Sequence, residues 1–135
     1  MSPTSKSRLL YAEDDPDTRE MILVALQTAG FEVVCPGDLN EFLTVAKNER
    51  WDVFMLDTWM PEIDGFELCV KLREFDSSTP IVFYSGAALD RDKQRASECG
   101  AFAYFVKPIP FNDLVRGLRA AIASRVPATR ANTAS

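Results

Sequence analysis
The chain has 135 residues, 47% of them hydrophobic and 26% charged, which suits one compact domain with its own core. Fifteen lysines and arginines against twenty aspartates and glutamates leave a net charge of −5, a balance that disfavours a general nucleic-acid or membrane-surface role. No histidine is present, which excludes Ser-His-Asp and Cys-His catalysis, histidine metal ligands and a phosphohistidine carried by this chain.

Residues 1–7 are polar and read as a flexible N-terminal tail. Arg8 to Ala12 is a short apolar run that predicts a strand. Asp15 and Pro16 then supply a capping side chain and a proline at the first helical position. Ile22, Ala25, Leu26 and Ala29 follow at helical spacing up to Gly30. Phe31 to Cys35 predicts the second strand. Asp38 and Glu41 have the spacing of a capping box, opening a helix with Phe42, Val45 and Ala46 on one side. Asp52 to Asp57 predicts a third strand, apolar on both faces as at the covered centre of a parallel sheet. A loop from Met60 to Gly65 leads into a helix through Phe66, Cys69, Val70 and Leu72. Pro80 to Tyr84 predicts the fourth strand, with proline at its tolerated first position. Asp90 to Gly100 is helical but nearly all polar, anchored by Leu89, Ala96 and Cys99. Phe102 to Val106 predicts the fifth strand. The last helix carries Phe111, Leu114, Val115, Leu118, Ala121 and Ile122. Residues 125–135 read as a flexible tail or linker stub, leaving 8–124 as the domain.

Cys35, Cys69 and Cys99 are odd in number and widely spaced, so they read as small hydrophobes rather than a disulfide framework or zinc site. With no 18-residue apolar run and no apolar segment near Met1, the expected location is a reducing cytoplasm.

Five strand–helix pairs predict an α/β fold, a doubly wound parallel sheet with helices on both faces and right-handed crossovers. Ligands in such sheets bind beyond the carboxyl ends of the strands. Strand one ends in Glu13-Asp14-Asp15, strand three in Asp57, strand four in Ser85-Gly86 and strand five in Lys107-Pro108. Clustered carboxylates raise each other's pKa unless a cation intervenes. An all-oxygen donor set without histidine or thiolate favours a hard ion such as Mg²⁺. Asp57 could then act as an oxygen nucleophile toward a phosphoryl group, with the Lys107 ammonium and Ser85 hydroxyl each holding one phosphoryl oxygen.

Asp57-Thr-Trp-Met-Pro61-Glu-Ile-Asp-Gly65 resembles the phosphoacceptor loop of response-regulator receiver domains. Leu9-Leu-Tyr-Ala-Glu-Asp-Asp-Pro16, the Ser85-Gly-Ala turn and Lys107-Pro108 strengthen the resemblance, which covers about Ser7 to Ser124. It implies a flavodoxin-like sheet of strand order 2-1-3-4-5, in a stand-alone, chemotaxis-regulator-like protein. Position by position, Asp57 matches the aspartate phosphorylated by a sensor histidine kinase or phosphotransfer protein. Asp14 matches the direct Mg²⁺ ligand, Glu13 an acid acting through water, and Trp59 the residue whose backbone carbonyl binds the metal. Ser85 and Lys107 match the phosphoryl-binding pair, Tyr104 the aromatic that rotates on activation, and Pro108 a cis proline. The implied protein is regulatory rather than an enzyme, limited to phosphotransfer onto Asp57 and autodephosphorylation. The expected output is a shift of the fourth helix, fifth strand and fifth helix toward an unidentified partner protein, without direct nucleic-acid or membrane contact, by a monomer or weak dimer.

The chain departs from the family pattern at several positions. Serine stands at 85 where threonine is commoner, glutamate at 13 where aspartate is commoner, and Ile109-Pro110 delays the phenylalanine to Phe111. Trp59 is expected to restrict the hydrolytic water. A phosphorylation-independent pseudo-receiver is the main alternative. A haloacid-dehalogenase-type phosphatase is disfavoured because Trp59 stands where that class needs a second acid.

Overall fold
The computed structural model describes residues 6–134, with side chains through Arg125. In chain order the elements are β1 (Ser7–Ala12), α1 (Pro16–Thr28), β2 (Phe31–Val34), α2 (Leu39–Asn48), β3 (Val53–Leu56), α3 (Gly65–Arg73), β4 (Ile81–Ser85), α4 (Asp90–Glu98), β5 (Ala103–Val106) and α5 (Phe111–Ala134). All four β3 residues are buried, which suits the middle strand of a sheet covered on both faces. The strands run parallel in the order β2-β1-β3-β4-β5, the doubly wound, flavodoxin-like arrangement.

Alternation along the strands divides the core into two layers. Leu10, Phe54, Leu56, Ile81 and Phe83 face α2, α3 and α4, where they meet Phe42, Phe66, Leu72 and Ala96. Leu9, Tyr11, Val53, Met55 and Val82 face α1 and α5, where they meet Ile22, Leu26, Leu114 and Leu118. Ile109 and Phe111 pack half-buried against this second layer. No helix among the described residues is long and apolar enough to cross a membrane.

The caps show where side chains replace missing backbone partners. Asp15 accepts the Thr18 N–H at 2.9 Å and starts α1 ahead of Pro16. Asp38 caps α2 by accepting the Glu41 N–H, but the Glu41 carboxylate turns to the Gly37 N–H, so the expected reciprocal box is half formed. Both halves are present at Asp64 and Glu67, which open α3.

Several apolar residues expected inside are outside. Leu89 is 55% exposed, and Val70 and Phe102 are also exposed. Leu89 sits at the N-cap of α4, before the helix turns its Ala96 face to the core, and therefore does not anchor it. The ends also differ from expectation. β1 begins at Ser7, and helical backbone continues through Ala134 over most of the stretch read as a loose tail. Residues 1–5 and the side chains beyond 125 lie outside the described residues.

Gly65 sets the approach of α3 to the end of β3. Its N–H donates to the Thr58 carbonyl at 3.1 Å. A Cβ there would overlap the Asp57 backbone carbonyl and stand 3.0 Å from the Phe83 ring. Gly65→Ala should therefore cost about 1–3 kcal/mol in urea unfolding, because backbone rather than a flexible side chain must give way.

Candidate functional site
Parallel strands deliver their carboxyl ends to one edge, and the strand order places β1 beside β3 and β4 beside β5. Asp57, just past β3, is 6% exposed, and Glu13, just past β1, is 5% exposed. The Asp57 N–H donates to the Ala12 carbonyl at 3.1 Å, which locks the two strand ends together. Lys107 follows β5 and reaches back across the edge. Its Nζ lies 2.8 Å from Glu13 Oε1 and 3.7 Å from Asp57 Oδ2. Its N–H donates to the Ser85 carbonyl at 2.8 Å, and the Lys107–Pro108 peptide is cis.

Glu13 has two further partners. The Tyr11 hydroxyl donates to Glu13 Oε1 at 2.9 Å, and the Asp15 N–H donates to Oε2 at 3.3 Å. Residues i and i+2 share a face of a strand, so Tyr11 is the one signal in the sequence for a buried partner of Glu13. Asp14 is exposed at the same edge.

The electrostatics follow from burial. Desolvation, reinforced by the Glu13 charge, pushes the Asp57 carboxyl up to about 6 despite the nearby Lys107 ammonium. Burial opposes the charge on Lys107, but the hydrogen bond to Glu13 and the attraction of Asp57 outweigh it, raising its pKa above the ordinary value. Carboxylate oxygens of Glu13, Asp14 and Asp57 lie within 4.8 Å of one another. That hard, all-oxygen donor set fits Mg²⁺.

Ser85 is fully buried at the end of β4. Its Oγ accepts the Ala87 N–H at 3.1 Å and is hydrogen-bonded to Thr58 Oγ1. Thr58 also escaped the sequence reading, and only its place directly after a buried strand hinted that its hydroxyl would be enclosed. Tyr104 stacks on Phe83, with ring centres 5.8 Å apart, and its hydroxyl donates to the Ala87 carbonyl at 2.7 Å. Trp59 is 75% exposed, so its ring projects into solvent rather than over Asp57, while its N–H donates to Asp57 Oδ1 at 3.4 Å. The structure thus gathers Glu13, Asp14, Asp57 and Lys107 into one cluster. Ser85 and Tyr104 sit on an adjoining hydrogen-bonded path.

A carboxyl whose pKa is raised on folding binds its proton more tightly in the folded state. Metal-free stability should therefore fall as pH rises from about 4 to about 6. Asp57→Asn removes this cost. In chelator-containing buffer the variant should be more stable than wild type by about 1–3 kcal/mol at pH 7, with the gain vanishing below about pH 4, as read by urea unfolding.

Comparison with known proteins identifies the family. Residues 9–119 match the family described as the response regulator receiver domain. The DNA-binding response regulator MtrA of Mycolicibacterium smegmatis is 34% identical over 117 residues, covering 87% of this chain and 51% of that protein. The chain thus spans about half the length of the curated relatives it matches. The chemotaxis protein CheY4 of Vibrio cholerae superposes with a TM-score of 0.80 at 30% identity, covering 87% of this chain and 99% of that one. Response regulator TrrA of Thermotoga maritima, solved in complex with Mg²⁺ and BeF, superposes with a TM-score of 0.77 at 25% identity, covering 85% and 98%. With the family match spanning most of its length, this chain belongs to the response-regulator receiver domains of two-component signalling.

Proposed function
We propose that Asp57 is the phosphoacceptor of a phosphorylation-dependent signalling switch. The observation that carries this reading is the placement of a buried carboxylate beside Lys107 Nζ, within a cluster of three carboxylates. With its pKa near 6, Asp57 is largely ionised at pH 7 and available as a nucleophile. One of its oxygens attacks the phosphorus of a phosphohistidine on a partner kinase or phosphotransfer protein. The new O–P bond forms as the P–N bond breaks, and the donor imidazole leaves with the electron pair. Since this chain has no histidine, the donor is another molecule or a segment outside this sequence.

Asp14, Asp57 and the Trp59 carbonyl would hold Mg²⁺ directly, with Glu13 acting through water. When bound, Mg²⁺ supplies positive charge that offsets the phosphoryl oxygens against the acidic cluster. Lys107 exchanges part of its contact with Glu13 for a phosphoryl oxygen, and Tyr11 keeps that carboxylate hydrogen-bonded. Ser85 donates its hydroxyl proton to another phosphoryl oxygen. Tyr104 responds because its hydroxyl is bonded to the loop that follows Ser85.

The output in this reading is the face formed by α4, β5 and α5, presented to a partner protein, with no direct nucleic-acid contact by this acidic domain. α4 suits a moving part. It has no side-chain cap, and Ala96 is its buried residue. Against α3 it sets the Arg95 guanidinium over the Phe66 ring at 4.2 Å and 4.0 Å from the Asp64 carboxylate, while at its C-cap the Cys99 carbonyl accepts the Cys69 thiol at 3.3 Å and the Cys99 thiol meets the Phe66 carbonyl.

Incubation with Mg²⁺ and a small acyl-phosphate donor should add one phosphoryl group by intact mass. Asp57→Ala should abolish the adduct, and no adduct on wild type would contradict the acceptor role. Mg²⁺ with beryllofluoride should change amide exchange across residues 86–100 by roughly tenfold, more than in β1 or β3. Unchanged exchange there would exclude the α4 output face.

A further inference from the structure
One buried polar contact next to the acceptor has no part in the scheme above. Thr58 is 3% exposed, and its Oγ1 lies 2.5 Å from Ser85 Oγ. Ser85 Oγ also accepts the Ala87 N–H at 3.1 Å, and the Ala87 carbonyl accepts the Tyr104 hydroxyl at 2.7 Å. These bonds run unbroken from the residue after Asp57, through the end of β4 and the loop before α4, to Tyr104 on β5. The residue that follows the acceptor thus meets the hydroxyl proposed to bind the phosphoryl group.

A serine hydroxyl has one proton to donate. It cannot donate to Thr58 and to a phosphoryl oxygen at once. We propose that Thr58 is a positioning residue that accepts the Ser85 proton in the unloaded protein, and so opposes the arrangement in which Ser85 reaches the phosphoryl group. Loading requires Ser85 Oγ to swing from Thr58 Oγ1 toward a phosphoryl oxygen, which also draws it from the Ala87 N–H and releases the loop that carries Ala87. Serine lacks the γ-methyl that restricts threonine, so an outside partner fixes its rotamer here. The competition sets the balance between two arrangements of one path, rather than the chemistry at Asp57. The inference rests on the proposed roles of Asp57 and Ser85.

Thr58→Val tests it, since valine keeps the branched shape and removes the hydroxyl. The Ser85 proton then loses its acceptor in a buried site, which disfavours the unloaded arrangement, whereas in the loaded one valine removes only a hydroxyl that Ser85 has already left. In the metal-free variant, the NMR amide signals of Ala87 and Tyr104 should move part of the way toward their wild-type positions with Mg²⁺ and beryllofluoride. The beryllofluoride midpoint at fixed Mg²⁺ should fall by roughly five- to twentyfold. Thr58→Ser, which restores the hydroxyl, should return both readouts to wild type. Should the valine variant not fold, Thr58→Ala carries the same expectation. Signals and midpoint unchanged from wild type, as expected if Thr58 only fills space or if Ser85 re-pairs with Tyr104, would overturn the inference, as would weaker beryllofluoride binding. Wild-type protein that binds no beryllofluoride would overturn the acceptor reading itself, and this inference with it.

Discussion
Two buried carboxylates share one ammonium. Glu13 and Asp57 are both nearly inaccessible, and Lys107 Nζ lies within 4 Å of an oxygen of each. Without it, desolvation and mutual repulsion would drive one of them to stay protonated. With it, and counting exposed Asp14, three carboxylates and one ammonium leave a formal charge of −2 at the edge of the sheet. That deficit matches the charge of one divalent cation. The same contact ties β5 to β1 across the sheet edge, so the strand that carries Tyr104 is joined through Lys107 to Glu13 and Asp57.

The remainder of the fold places this contact. Asp57 is held by the backbone bond from its N–H to the Ala12 carbonyl and by the close seat of α3 at Gly65. Against these fixed elements, α4 is held by buried Ala96, by Arg95 above the Phe66 ring, and at its C-cap by Cys99, which meets the Cys69 thiol and the Phe66 carbonyl. Phe66 in turn packs on Phe83, and Phe83 on Tyr104. An exposed cation–π contact contributes about 0.5–1 kcal/mol, small beside the burial that holds the central strands. The contrast between a rigid β1–β3 edge and a lightly held α4 gives a two-state change somewhere to occur.

Much of this was legible in the sequence, for identifiable reasons. β3 announced itself by an unbroken apolar run, α1 by Asp15 and Pro16, and the site by acidic and basic residues placed just after predicted strands. Helix faces were less legible. Leu89 and Val70 look like anchors in a one-dimensional pattern, yet both are exposed, because helix orientation is set by neighbouring elements rather than by composition. The half-formed box at Glu41 has a similar cause, since the Gly37 N–H offered that carboxylate a second partner.

The sequence by itself determined the strand–helix alternation, the family and the residue types at each strand end, because these depend on local periodicity and on chemistry carried by single side chains. Tertiary structure alone decided who meets whom. It gave Glu13 rather than Asp57 the shorter contact with Lys107, turned the Trp59 ring into solvent and closed the Thr58 and Ser85 hydroxyls on each other. Those pairings join residues 27 and 94 positions apart. Their geometry depends on how strands register and how deeply the edge is buried, which no local pattern in the chain encodes.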